Sequence, residues 1–370
     1  MRVPLVDLKK QYMQLRDEIL QSLDEVMQDG RFILGPQVEA LEGEIARYTH
    51  TRYGIGVANG TDALVMALRA LGIGPGDEVI TSPFTFFASA EGISNVGATP
   101  VFVDIDPKTY CMDVSKLEER ITERTRAIIP VHIFGHMVDM DPLMELAEKY
   151  HLKVVEDACQ AIGSTYKGRP AGSIGNIGCF SFFPTKNLGG YGDGGMIVTS
   201  DEELTAKIRL LRHHGSPKKY HHVDIGYNSR LDAVQAAILR IKFPHLDRWN
   251  ELRREKAAIY GEALRDLPLH LPYESKDCRH VYHLYVIATD LRDQLMEHLK
   301  ERGVASGIYY PVPLHLQPVY QGLGYKPGDF PNAEAACRRC LAIPMYPELE
   351  ADEQAFVIRA IKEFFEAGAR

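Results

Sequence analysis

Chemistry is most concentrated between Gly178 and Gly195, in the run GCFSFFPTKNLGGYGDGG. The run begins apolar, breaks at Pro184, presents Lys186, and then carries five glycines between 189 and 195. A lysine directly after an apolar strand meets a desolvation cost, because a buried ammonium must be paired or lose its proton. A lysine with a depressed pKa is what a Schiff base to a carbonyl cofactor needs, since only the free amine attacks carbon. The glycines would let the backbone approach a ligand or take positive φ. Taken alone, the same residues also describe a surface turn with a snorkelling lysine.

Three further groups give Lys186 a context. The run Val154-Val155-Glu156-Asp157-Ala158-Cys159-Gln160 ends an apolar strand on an acid, which is well placed to face a ligand. Gln160 is three residues on and must lie past the strand end to help. Asn59-Gly60-Thr61-Asp62 opens a helix with capping residue types, whose free N–H groups favour an anion such as phosphate. Phe84, Phe86 and Phe87 follow Ser82-Pro83 at another strand end. Singly these are an ordinary cap, a structural acid and core phenylalanines. Together they match pyridoxal phosphate, which needs a lysine for its aldehyde, donors for its phosphate and a carboxylate for its ring nitrogen. An aromatic ring against the cofactor face would complete the set.

The elements that must position these groups alternate strand and helix. Apolar runs at Ile55–Ala58, Glu78–Thr81, Pro100–Asp104, Ala127–His132, Lys153–Ala158, Cys179–Phe183 and Met196–Thr199 are separated mostly by helical stretches. That alternation predicts an α/β domain with a mainly parallel sheet covered on both faces. Two helices precede it, over 8–29 and after Gly35-Pro36, and one follows over 231–241. Phe243-Pro244 then interrupts the pattern before a long charged helix from 245 to 266. Beyond it, a strand over Val281–Ala288, a helix over Leu291–Arg302 and a strand near Val304–Tyr310 read as a smaller α+β domain. The expected division is 1–243 and 244–370.

Composition excludes several classes. Net charge is −8 without a long basic run, which argues against a nucleic-acid surface. No apolar run is long enough for a signal peptide or a membrane span, so the chain reads as cytoplasmic. The six cysteines are scattered. The one C-x-x-C, Cys337 to Cys340, lies in a helical pattern without a second pair or a nearby histidine set, and reads as helix packing rather than a metal or redox site.

The ordered stretches RFILGPQVEALE, ANGTDAL, GPGDEVITSPFTFFA, VVEDACQAIG, SFFPTKNLGGYGDGG, GYNSRLDAVQAAIL and YYPVPLHLQP make the chain resemble the DegT/DnrJ/EryC1/StrS family of pyridoxal-phosphate sugar aminotransferases over essentially its full length. The resemblance implies an aspartate-aminotransferase-like fold of type I. It implies that Lys186 holds the cofactor covalently and, once freed, moves the substrate proton. Asp157 would pair with the pyridine nitrogen, Gln160 would approach the ring hydroxyl, and Phe86 would stack on the ring. Gly60, Thr61 and Ser181 would bind phosphate, with Asn228 reaching in from the second subunit of a homodimer. Gly30, Phe32, Thr185, Arg230, Tyr309, Tyr310 and His315 match positions near the nucleotide-sugar. The chain reads Tyr309-Tyr310-Pro311 where many relatives read His-Tyr-Pro, and it keeps the lysine that dehydratases of the family replace with histidine.

The implied reaction moves an amino group from L-glutamate to a nucleotide-linked keto-sugar. WNELRR, VYHLYVI and GIYYPVPLHLQP are most similar to the branch aminating position 3 of dTDP-linked 3-keto-6-deoxyhexoses. UDP-linked 3-keto-uronic acids and position-4 keto-sugars are the neighbouring alternatives. A regulatory protein without catalysis is the alternative of another class. It would need a DNA-binding helix-turn-helix and a basic face, and the sequence has neither.

Overall fold

The structure, a computed structural model, describes residues 1–368. Seven strands form the central sheet: β1 (Tyr53–Val57), β2 (Glu78–Thr81), β3 (Thr99–Phe102), β4 (Thr125–Ile128), β5 (Lys153–Asp157), β6 (Ile177–Ser181) and β7 (Gly195–Thr199). Their spatial order is β1-β7-β6-β5-β4-β2-β3. Only β7 runs against its neighbours, so the carboxyl ends of β5 and β6 open on the same edge. The strands are almost wholly buried, as expected where helices cover both faces of a parallel sheet. The fold is α/β with a mostly parallel sheet.

The covering helices are α2 (Pro36–Tyr48), α3 (Gly60–Ala70), α4 (Ala88–Asn95), α5 (Met140–Lys149), α6 (Glu202–Leu211) and α7 (Ala233–Lys242), with α1 (Leu8–Asp29) packed on the outside of α7. A 3-10 turn at Phe243–His245 leads directly into α8 (Leu246–Leu264). Pro244 therefore redirects the helix instead of breaking the chain, because a proline in a first turn loses no hydrogen bond. The remainder holds β8 (Tyr285–Ala288), α9 (Arg292–Glu301), α10 (Pro331–Arg339), β9 (Cys340–Ile343) and α11 (Ala351–Gly368), with β8 and β9 antiparallel. Among the described residues no helix is long and apolar enough to cross a membrane.

Two sequence expectations change. The strand near Val304–Tyr310 reduces to bridges from Val304 to Val3 and from Gly307 to Ala342. Beyond them the chain leaves the sheet and carries Ile308, Tyr309 and Tyr310 to the cleft described below. Cys340 is not helical. It opens β9 with extended dihedrals, because Leu341 and Ile343 must reach the second core. The largest core surrounds the seven-stranded sheet, the second lies among α8, α9, α11, β8 and β9, and two small clusters hold α1 against α7 and Trp249. Val3 packs in the second and Phe330 in the first, so early and late parts of the chain interleave.

Strand alternation sends the two acids of β5 to opposite faces. Glu156 is fully buried and accepts N–H groups from Gly172 (2.8 Å), Ile174 (2.6 Å) and Gly175 (2.6 Å). His132 Nε2 lies 2.9 Å from it, while His132 Nδ1 accepts from Val138 N (3.2 Å). Burial pushes the Glu156 carboxyl up, but hydrogen bonds from His132 and the backbone outweigh burial and hold it below its ordinary value. A depressed carboxyl stabilises the fold above its unfolded pKa and loses that contribution as pH falls through the folded one. Glu156→Gln is expected to cost about 3 kcal/mol at neutral pH. Urea melts should show the gap to wild type narrowing below about pH 4.3; a gap independent of pH would contradict the assignment.

Candidate active site

A cleft of about 880 Å³ opens at the carboxyl ends of β5 and β6. Gly60, Thr61, Phe86, Asp157, Gln160, Ser181, Thr185, Lys186, Tyr309 and Tyr310 all line it. Asp157 ends β5 and is 6% exposed. Ser89 Oγ, in the first turn of α4, donates to its Oδ2 (2.7 Å) and meets Thr85 Oγ1 at 3.0 Å. Cys159 N donates to Oδ1 (3.3 Å). The carboxylate is thus fixed by partners on two elements.

Lys186 follows β6 through the Phe183-Pro184 turn, closed by Lys186 N donating to Phe183 O (2.8 Å). Burial pushes its amine below the ordinary lysine value, with the Asp157 carboxylate pulling the other way. A larger fraction is then the free base that carbonyl chemistry requires.

The first turn of α3 forms the third wall. Asn59 Oδ1 caps it by accepting from Asp62 N (2.8 Å), which leaves the Gly60 and Thr61 N–H groups as the leading donors of the helix. A Cβ on Gly60 would lie 2.9 Å from Ser181 Cβ and 3.0 Å from Cys159 Sγ. Only glycine lets α3 begin directly on the strand ends.

Gln160 lies past the strand end, as its position requires. Its Oε1 accepts from Phe134 N (2.8 Å) and its Nε2 donates to Tyr310 OH (3.0 Å). Of the three phenylalanines, Phe86 is open to the cleft, with its ring 6.2 Å from that of Tyr310. Phe84 packs against Tyr110 and Phe134, and Phe87 against Tyr320.

Five expected residues lie outside this cleft. Gly30 is the left-handed cap of α1, and Phe32 O accepts from Ala233 N (2.8 Å). Asn228 pairs with His213, whose Nδ1 lies 3.3 Å from Arg230 Nη1. His315 is 1% exposed, 3.3 Å from Glu334 and packed on Phe330, because Leu314 N bonds Pro83 O and draws the turn inward.

The glycine-rich turn also serves another purpose than ligand approach. None of its five glycines has positive φ. A Cβ on Gly190 or Gly192 would meet the Gln235 amide at 2.8 Å or 2.9 Å, and one on Gly195 would meet Asn59 at 2.5 Å. The glycines make room for α7 and for the start of α3. Sequence reasoning also passed over Ser89 and His283. His283 lines the cleft, its Nδ1 lies 3.3 Å from Asn187 Oδ1, and burial drives its pKa well below the ordinary value. Thr85 and Ser89, four apart at a helix start, were the available signal for Ser89; His283 had none.

A half-buried amine of lowered pKa, a fixed carboxylate and an open helix N-terminus in one cleft fit pyridoxal phosphate: attachment, ring nitrogen and phosphate each have a suitable group. The fold and site define a pyridoxal-phosphate-dependent aminotransferase. More particularly, the chain belongs to the DegT/DnrJ/EryC1/StrS aminotransferase family, which matches residues 13–362. It is 53% identical, over 99% of both chains, to a "pleiotropic regulatory protein" of Geobacillus stearothermophilus. It is 49% identical, over 97% of both, to a UDP-N-acetyl-3-dehydro-α-D-glucosamine 3-aminotransferase of Acidithiobacillus ferrooxidans. A dTDP-3-amino-3,4,6-trideoxy-α-D-glucose transaminase of Streptomyces venezuelae is 46% identical over 99% of this chain and 97% of that one. The crystal structure of S. venezuelae DesV in complex with a ketimine intermediate superimposes with a TM-score of 0.97 at 46% identity, over 99% of both chains. Solved relatives hold the cofactor in its pyridoxal and pyridoxamine phosphate forms. The chain is a sugar aminotransferase that uses this cofactor.

Ser89→Ala removes the hydrogen bond that fixes Asp157. Turnover should fall about tenfold, the equivalent of one lost hydrogen bond to a charged group, while the melting temperature stays near that of wild type. Unchanged turnover would show that Asp157 does not need this partner.

Proposed function

We propose that the enzyme moves an amino group from L-glutamate to position 3 of a nucleotide-linked keto-sugar, a dTDP-linked 3-keto-6-deoxyhexose. The observation that carries the reading is the convergence of the Lys186 amine, the Asp157 carboxylate and the first turn of α3 in one cleft. When bound, pyridoxal phosphate supplies the carbonyl that takes up the amino group and the conjugated ring that spreads the developing charge.

The chain's own residues do the rest. Lys186 Nζ would be the point of attachment for the cofactor, and its free amine would carry the proton to and from the substrate carbon. Its lowered pKa enlarges the share of free amine that can act as the base. Asp157 would hold the ring nitrogen in its protonated form, and Ser89 keeps Asp157 aimed. Gly60, Thr61 and Ser181 would hold the phosphate, Gln160 would lie toward the ring hydroxyl, and Phe86 would pack on the ring. Thr185, Tyr309 and Tyr310 line the remaining cleft and receive the sugar.

Asn228, Arg230, Gly30 and Phe32 act across a homodimer, where Asn228 completes the phosphate site of the neighbouring subunit. Their placement outside their own cleft, with Phe32 43% exposed, supports that reading. The enzyme works in the cytoplasm, where its nucleotide-sugar substrates are made.

A UDP-linked 3-keto-sugar is the second reading, favoured by the relative at 49% identity. Both relatives named above for a nucleotide are named for position 3, which supports this proposal over a position-4 activity. The relative at 53% identity is named a regulatory protein, but membership of an aminotransferase family and the Lys186–Asp157 cleft support catalysis over a purely regulatory role.

The holoenzyme should show an absorbance band of bound cofactor that bleaches when L-glutamate is added. Lys186→Ala should leave the fold intact and reduce turnover beyond detection. Run in reverse with 2-oxoglutarate, the enzyme should consume a dTDP-linked 3-amino-6-deoxyhexose faster than a UDP-linked 3-amino sugar; the opposite preference would transfer the proposal to the second reading.

A further inference from the structure

Behind the cleft stands a buried cation that the reaction does not touch. Lys242, the last residue of α7, is 1% exposed. Its Nζ donates to Gly189 O (2.5 Å) and lies 4.8 Å above the Tyr191 ring. Gly189 and Tyr191 are three and five residues past Lys186. The same loop is held by Gln235, seven residues earlier on the same face of α7, whose Oε1 accepts from Tyr191 N (2.8 Å). Gly190 N closes the loop onto Phe182 O (2.8 Å).

We infer that Lys242 is a positioning residue for the transamination: its buried ammonium clamps the Gly189 carbonyl and thereby fixes the loop from which Lys186 reaches the cleft. The inference rests on the role given to Lys186 above.

An ammonium is an expensive way to fill this space. Burial lowers the Lys242 pKa to about 8, with the charge of Glu348 opposing the shift. An apolar side chain of equal length would avoid that desolvation, and replacing a buried charge by apolar atoms is often neutral or stabilising. Stability alone does not account for a lysine here. A charge-assisted bond to one carbonyl does, because it is stronger than a neutral one and directional. The anchored carbonyl is close in sequence to the reacting amine, where a small displacement costs far more in rate than in binding.

The test compares Lys242→Met with wild type. Thermal melting should differ by no more than about 3 °C. In cofactor-free protein, the Gly190 and Tyr191 amides should exchange hydrogen about tenfold faster. In the holoenzyme, kcat should fall about tenfold or more while KM for glutamate stays within about twofold. A folded variant with wild-type exchange and wild-type kcat overturns the inference. So does a loss of activity that only tracks a lowered melting temperature. If the methionine variant does not fold, Lys242→Gln is read by the same criteria, and failure of both to fold makes Lys242 a structural cation only. Lys186→Ala, assayed alongside, separates the two claims: retained turnover there would remove the role of Lys186, while the exchange rates would still report the clamp.

Discussion

An amine of lowered pKa set in one cleft with a fixed carboxylate is the constraint on which the rest of this structure depends. Burial lowers the pKa of Lys186 and Asp157 pulls it back, so the share of free amine depends on how the two are placed. A carboxylate free to rotate would make that balance indefinite. Ser89 and the Cys159 amide remove the freedom, and the burial of Asp157 keeps water from competing.

The sheet supplies the geometry. Parallel β5 and β6 end side by side, with Asp157 opposite Cys179 in register, so an acid and a lysine-bearing turn emerge on one edge. Antiparallel β7 then returns the glycine-rich loop to the start of α3, since Gly195 pairs with Val57 at the end of β1. Two segments far apart in sequence, Asn59–Thr61 and Lys186–Gly195, become neighbours through that one reversed strand. Close approach at the junction is why glycine stands at 60 and at 195: a Cβ at either place would collide with the other segment or with the strand ends.

Buried polar groups around the cleft act on the backbone more than on one another. Glu156 gathers three backbone N–H groups on the far face of β5, and Lys242 takes the Gly189 carbonyl. Arg253 takes the carbonyls of Tyr282, His283 and Met345, two of which belong to residues lining the cleft. Its burial lowers its pKa to about 10, with Glu348 opposing as it does for Lys242. Charged side chains thus fix loops that carry little regular structure. The penalty of burying them is met by directional bonds that apolar packing could not supply.

The sequence by itself determined the chemical types and their local setting. The alternation of apolar runs and helices fixed the α/β class, and the position of Asp157 at a strand end, of Lys186 after an apolar strand and of Gly60 at a helix start followed from periodicity and capping. Those are short-range rules, visible within a window of a few residues. Tertiary structure decided which side chains hold them: Ser89 reaches Asp157 across 68 residues and Lys242 reaches Gly189 across 53. It also turned the glycine loop toward α7 and buried His315 away from the cleft. No local pattern encodes such pairings, because a hydroxyl or an ammonium has the same sequence signature whether it faces water or a distant carbonyl. The choice is made only when the chain packs and each buried polar group must find a partner.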